Sequence, residues 1–172
     1  SIISCDKTEV TSNSCDSLVN GQVIDIDGNA YNTVKIGNQT WMAENLKVTK
    51  YNDGTPIPFI SSSIVGLQYA ESQKDAYTYY NFDNLNSAIY GNLYNWYAVN
   101  TGNLCPCGWH VPTVYEWLNL LSKLGGEEIA GGALKQTGTN LWLSPNTGAT
   151  NSSQFNAVPG GIFYEDEFKR IG

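Results

Sequence analysis

The chain has 172 residues, a hydrophobic fraction of 41% and charged residues at only 15%, with a formal net charge of −7. That length suits one domain with a real core and is short for two, and the hydrophobic fraction argues against general disorder. The acidic balance excludes a basic nucleic-acid surface and direct docking on anionic lipid, and no apolar run approaches the roughly 20 residues that span a bilayer.

Residues 1–22 are polar, rich in Ser, Thr and Asn, and weakly periodic, and read as an N-terminal leader or linker. Pairing Cys5 with Cys15 would close a short loop and tie this stretch down. Ile2-Ile3-Ser4-Cys5 also has the form of a lipobox, in which the cysteine would carry lipid, and both readings of Cys5 stand at this point. Asp16-Ser17-Leu18 matches a short bacterial O-glycosylation acceptor.

Residues 23–46 predict strands joined by tight turns at Asp27-Gly28-Asn29 and Gly37-Asn38, where Gly and Asn accept positive φ cheaply. Alternation over residues 31–36 predicts a half-buried strand. Asp25-x-Asp27-Gly28-Asn29 invites a calcium reading, but the twelfth position from Asp25 is Ile36, not the glutamate an EF-hand loop needs, so a turn is expected. Glu44 and Asn45 are expected to tie loop backbone to the core.

Residues 61–74 carry no clear motif and read as an irregular insertion. Residues 77–84 are aromatic and β-prone, and strand alternation would put Tyr77 and Tyr79 on one face and Tyr80 on the other. Residues 93–99 predict a short helix with Leu93, Trp96 and Tyr97 inward. The strongest helix signal follows: Thr113 and Glu116 form a capping-box pattern, Trp117, Leu120, Leu121 and Leu124 recur at i, i+3, i+4 and i+7, and Gly125-Gly126 supplies the stop. Glycine-rich loops alternate with short segments beyond it.

His110 is the single histidine, so any Ser-His-Asp or Cys-His site must use it. Its place between Trp109 and Val111, just ahead of a capped helix, favours a packed structural role over a Cys107–His110 nucleophile–base pair. Cys105 and Cys107 flank Pro106, too close for an easy mutual bridge, and no second pair completes a zinc site. Trp41, Trp96, Trp109 and Trp117 are expected in the core. Trp142, in a polar loop, joins Tyr77 and Tyr79 as a candidate ligand contact, because aromatic rings with a polar handle suit sugar faces and protein interfaces.

Four separated words carry a resemblance: Trp41-Met42-Ala43-Glu44-Asn45-Leu46, Tyr90-Gly91-Asn92-Leu93-Tyr94-Asn95-Trp96-Tyr97, Leu104-Cys105-Pro106-Cys107 with Gly108-Trp109-His110-Val111-Pro112-Thr113-Val114-Tyr115-Glu116-Trp117, and Ser144-Pro145-Asn146-Thr147-Gly148-Ala149-Thr150-Asn151. Together they resemble the Fibrobacter succinogenes major paralogous domain, over residues 23–172. The resemblance implies an α+β, C-type-lectin-like, loop-rich fold of short antiparallel strands with two short helices, related to sulfatase-modifying factors and continuing in relatives into further C-terminal strands. It also implies a partner for Cys105 near the domain's C-terminus, in an Arg-Cys ending. The cysteine pair behind the oxidase chemistry of sulfatase-modifying factors has no counterpart here, so a non-enzyme is expected, with no cofactor and no metal. The expected role is an extracellular or outer-membrane-surface module binding a glycan, peptide or partner protein; the alternative is a structural part of a larger surface assembly, completed by a partner strand.

Overall fold

The computed structural model of the chain describes residues 5–7, 18–164 and 167–171. Ile2 to Ser4, Cys15, and Asp16-Ser17 of the acceptor motif lie outside the described residues.

The α+β class is as expected. A five-stranded antiparallel sheet runs in the order β1-β5-β4-β3-β2, with β1 at Asp6–Lys7, β2 at Leu18–Val19, β3 at Gln22–Ile24, β4 at Ala30–Ile36 and β5 at Gln39–Met42. Both turn signals in this region act as hairpins. In the first, Asp25 accepts four hydrogen bonds, from the amides of Asp27 and Asn29, Asn29 Nδ2 and Tyr31 Oη. Asp27 in turn accepts from Thr49 and pairs with Lys50. Both carboxylates are therefore consumed by the turn and by the neighbouring segment at Thr49 and Lys50. The stretch read as a leader contributes β1 and β2, one to each edge of the sheet.

Among the described residues five short α-helices form rather than two: α1 at Ser63–Glu71, α2 at Asn84–Tyr90, α3 at Trp96–Val99, α4 at Val114–Lys123 and α5 at Glu127–Leu134. The segment read as an irregular insertion holds α1, whose Ser62 caps its N-terminus. The helix expected over residues 93–99 is shorter, because Leu93–Tyr94 form strand β7 against β6 at Tyr77–Thr78. Asn95 then caps α3 through its side chain. Trp96 thus becomes the first helical residue and points outward, 66% exposed, instead of inward. Strands β8, Gly160–Tyr164, and β9, Glu167–Ile171, form a hairpin.

Two apolar clusters hold these elements. One gathers Tyr31, Met42, Leu46, Leu104 and Trp109. The other centres on Trp41, fully buried, with Leu120 and Phe155 and with Trp117, whose ring centroid lies 4.9 Å from that of Trp41. The words of the sequence meet in space. Asn45 Nδ2 donates to Tyr90 O at 2.8 Å, and Asn92 N donates to Leu46 O at 2.9 Å. Gly91, at φ 74° between them, lies so close that a Cβ there would sit 2.6 Å from Asn45 Cβ. Glu44 receives the amide and side chain of Asn32, at 2.7 and 2.6 Å.

Candidate functional site

An aromatic groove lies where β6 and β7 meet β8. The segment ahead of α1 runs beside β6, with Ile60 N donating to Tyr77 O at 2.9 Å and Tyr77 N to Pro58 O at 3.0 Å. Pairing places Tyr77 opposite Tyr94 and Thr78 opposite Leu93. Ile60, Tyr77, Leu93, Tyr94, Ile162 and Phe163 then wall a groove of about 320 Å³, with Tyr164 also lining it. Tyr77 is 7% exposed and Tyr164 59%, so the floor is dry and one edge is wet. Among the described residues no charged side chain lines the groove. Burial, and then a hydrogen bond with Tyr79, hold the Tyr77 phenol above its ordinary pKa, so it stays protonated.

Of the three residues proposed from sequence to touch a ligand, two come together. Tyr77 and Tyr79 share a face, their rings 5.8 Å apart and nearly perpendicular, and Phe59 packs against both at 5.3 and 4.9 Å. Only Tyr77 reaches the groove; Tyr79 supports it from behind. Trp142 is not among the groove residues. Its indole donates to Ala157 O at 3.0 Å and Lys135 Nζ stands 5.4 Å from its ring centroid, so it fastens a loop. Sequence reasoning missed the β8 contribution, Ile162 to Tyr164, because nothing local marks that strand as the partner of β6 and β7.

The start of α4 forms a second constellation. Thr113 Oγ1 accepts from Glu116 N at 3.3 Å, and Glu116 Oε2 accepts from Thr113 N at 2.7 Å and from Thr113 Oγ1 at 2.8 Å. The other carboxylate oxygen, Oε1, lies 2.8 Å from His110 Nε2. Trp109 is buried beneath and Trp117 packs on the second cluster. Asp6 arrives from the distant N-terminal strand: Asp6 N donates to His110 O at 2.9 Å and His110 N to Asp6 O at 3.1 Å. Burial first, and then the neighbouring Glu116 carboxylate, push the Asp6 carboxyl up to about 6, with His110, Gln39 and the Lys7 amide opposing. Burial also opposes ionisation of Glu116, but its bonds to Thr113 and His110 outweigh it and hold that carboxyl below its usual value. His110 and Thr113 also border a second groove of about 420 Å³ with Trp96, Leu104 and Val114.

The expected Cys5–Cys15 bridge is corrected. Cys5 pairs with Cys105 across 100 residues, with Cα atoms 6.0 Å apart. The reason is the sheet: Cys5 O accepts from Met42 N at 3.1 Å while its neighbour Asp6 pairs with His110, which brings Cys5 against the loop that carries Cys105. This also replaces the C-terminal partner that family resemblance implied for Cys105. Cys107 is disulfide-bonded as well.

Among the described residues no helix is long and apolar enough to cross a membrane. No curated protein and no solved structure matches the chain. A family model described as the Fibrobacter succinogenes major domain (Fib_succ_major) matches residues 34–172, a span that contains the groove, the capped helix and all four of the shared words. The chain belongs to the Fibrobacter succinogenes major domain family.

Proposed function

We propose that this chain is a non-catalytic binding module, displayed outside the cell or on the outer-membrane surface, that takes an apolar segment of a peptide or partner protein into the groove between β6, β7 and β8. The carrying observation is a groove lined by aromatic and aliphatic walls whose Thr78 hydroxyl and Asn95 amide are already engaged. Thr78 Oγ1 donates to Ile60 O at 2.8 Å. Asn95 Oδ1 accepts from Ala76 N and Ala98 N, and its Nδ2 donates to Lys74 O. A glycan brings many hydroxyls that lose water on binding and need partners, whereas an apolar side chain needs only area and shape. That contrast favours a protein segment over a sugar. A lectin-like plan, with rigid strands and helices presenting variable loops, is part of this reading. The disulfides fit an oxidising compartment, and Cys107, the nucleophile considered for His110, is not a free thiol, which supports binding over catalysis.

A second reading, a structural part of a larger surface assembly, is favoured by one observation. Among the described residues β9 pairs only with β8, which leaves an edge that a partner's strand could extend.

The test screens the oxidised domain against a phage-displayed random peptide library and a glycan microarray. Recovery of peptides with aromatic or aliphatic anchors, bound about tenfold more weakly by Ile162→Asp and more weakly by Tyr164→Ala, is expected. Glycan binding without peptide recovery would overturn the reading, and peptide binding untouched by Ile162→Asp but lost on blocking β9 would favour the assembly reading.

A further inference from the structure

We infer that Asp6, His110 and Glu116 form a binding site for a divalent transition-metal ion of the zinc class, a clasp between the N-terminal strand and the start of α4. Asp6 comes from the far N-terminal end of the described chain, His110 and Glu116 from one short segment at the start of α4, and one ligand atom from each lies within 4.8 Å of the others. Ligands about 2.0–2.2 Å from a zinc ion stand roughly 3–4 Å from one another, so modest side-chain rotation closes the set.

Backbone pairing fixes the first two ligands. Asp6 and His110 are directly opposed in an antiparallel bridge with both main-chain bonds made, and opposed residues send their side chains to the same face. The third is fixed by the helix cap. Glu116 Oε2 is held by Thr113, which leaves Oε1 turned to His110. Gln39 braces the arrangement from behind. Its Nε2 donates to Asp6 Oδ2 at 3.2 Å and to Glu116 O at 3.3 Å, while its Oε1 accepts from Asn119 Nδ2 at 3.0 Å. Outer-shell bonds of this kind are how metal ligands are usually aimed.

An independent observation points to a cation. Asp6 has no solvent exposure, and its Oδ1 has no hydrogen-bond partner of good geometry, the neighbouring Lys7 amide being the one other group besides Gln39 that favours the charged carboxyl by hydrogen bonding. Buried carboxylate oxygens are normally paired, because an unpaired one forfeits hydration without return. A metal ion at the cluster would supply the missing partner. The donor set then names the ion. One imidazole nitrogen with two carboxylates, and no thiolate, suits Zn²⁺ and its neighbours Co²⁺ and Mn²⁺ better than Ca²⁺ or Mg²⁺, which favour oxygen alone. Two anionic ligands balance the charge of the ion, and the His110 side chain, 38% exposed, leaves a wet side for a water ligand.

The test uses the untagged, oxidised protein stripped with chelator and titrated with Zn²⁺ by calorimetry, alongside Asp6→Asn and Glu116→Gln. Because the chain has a single histidine, its ring-nitrogen resonances report ligation without ambiguity. The expected result is one equivalent of Zn²⁺ bound, a shift of the His110 ring signals, and affinity about 100-fold weaker in each variant, with circular dichroism showing both variants folded. Asp6→Asn keeps the bond from Gln39 and is the gentler of the two. Unchanged His110 resonances at saturating Zn²⁺, or equal affinity in wild type and a folded Asp6→Asn, would overturn the proposal.

Discussion

At the scale of single residues, the acidic side chains show how environment divides identical chemistry. Burial opposes ionisation of Asp27, yet the amide and hydroxyl of Thr49 and the Lys50 ammonium outweigh it, and its carboxyl sits below the ordinary value of 3.8. A carboxylate whose native pKa is depressed gives stability that is present above its unfolded pKa, about 4, and is lost as pH falls through the native value. Asp27→Asn is therefore expected to cost about 1–2 kcal/mol at pH 6, with the difference from wild type shrinking towards pH 2. Urea denaturation at both pH values checks this; a gap that persists undiminished in acid would refute a charge-based contribution. Asp6 is the opposite case, raised instead of lowered. Its meeting with His110 was not legible in the sequence, because the contact that assembles the cluster is a long-range strand pairing with no local signature. Thr113 and Glu116 were legible, since a capping box lies within one helical turn.

At the scale of elements, legibility followed the strength of local periodicity. Helix α4 was readable from its cap, its apolar stripe and its glycine stop. Helix α1 has no such stripe and carries Gly66 in its middle, and α5 contains Gly131-Gly132, so propensity argued against both and tertiary packing decided. Loop 144–157 explains α5. Thr150 N donates to Gly132 O at 2.8 Å, Ser153 Oγ to Ala133 O at 2.8 Å, and Ala157 N to Leu134 O at 2.9 Å. These bonds satisfy carbonyls that a helix end leaves open. The loop can approach only because Gly132 lacks a Cβ, which would collide with the Gly148 carbonyl, whereas Gly131 faces open space. Adjacent substitutions should thus have opposite signs. Gly131→Ala is expected to stabilise by up to about 1 kcal/mol through helix propensity, and Gly132→Ala to destabilise by about 1–3 kcal/mol through overpacking. Thermal unfolding of the pair measures both, and equal shifts of one sign would refute the contact.

At the scale of the whole molecule, the Cys5–Cys105 bridge dominates. Four cysteines allow three connectivities, and sequence spacing alone does not choose among them; the sheet does, by pinning Cys5 beside β5. A bridge across 100 residues removes more denatured-state freedom than a short loop would, and its loss is expected to cost about 2–5 kcal/mol. Replacing Cys5 and Cys105 together with alanine and following urea denaturation tests this; a change under about 1 kcal/mol would show that the noncovalent sheet already suffices. The same linkage governs how the domain responds to tension. A pull applied at residue 5 and at the far side of the domain passes through sulfur into residue 105, so the chain between them cannot be paid out. Roughly 350 Å of extensible polypeptide, at about 3.5 Å per residue, stays locked in until a reductant reaches the sulfurs, and a domain built this way would hold β6 and β7 under tension while β8 and β9, which lie beyond residue 105, peel first and open the groove.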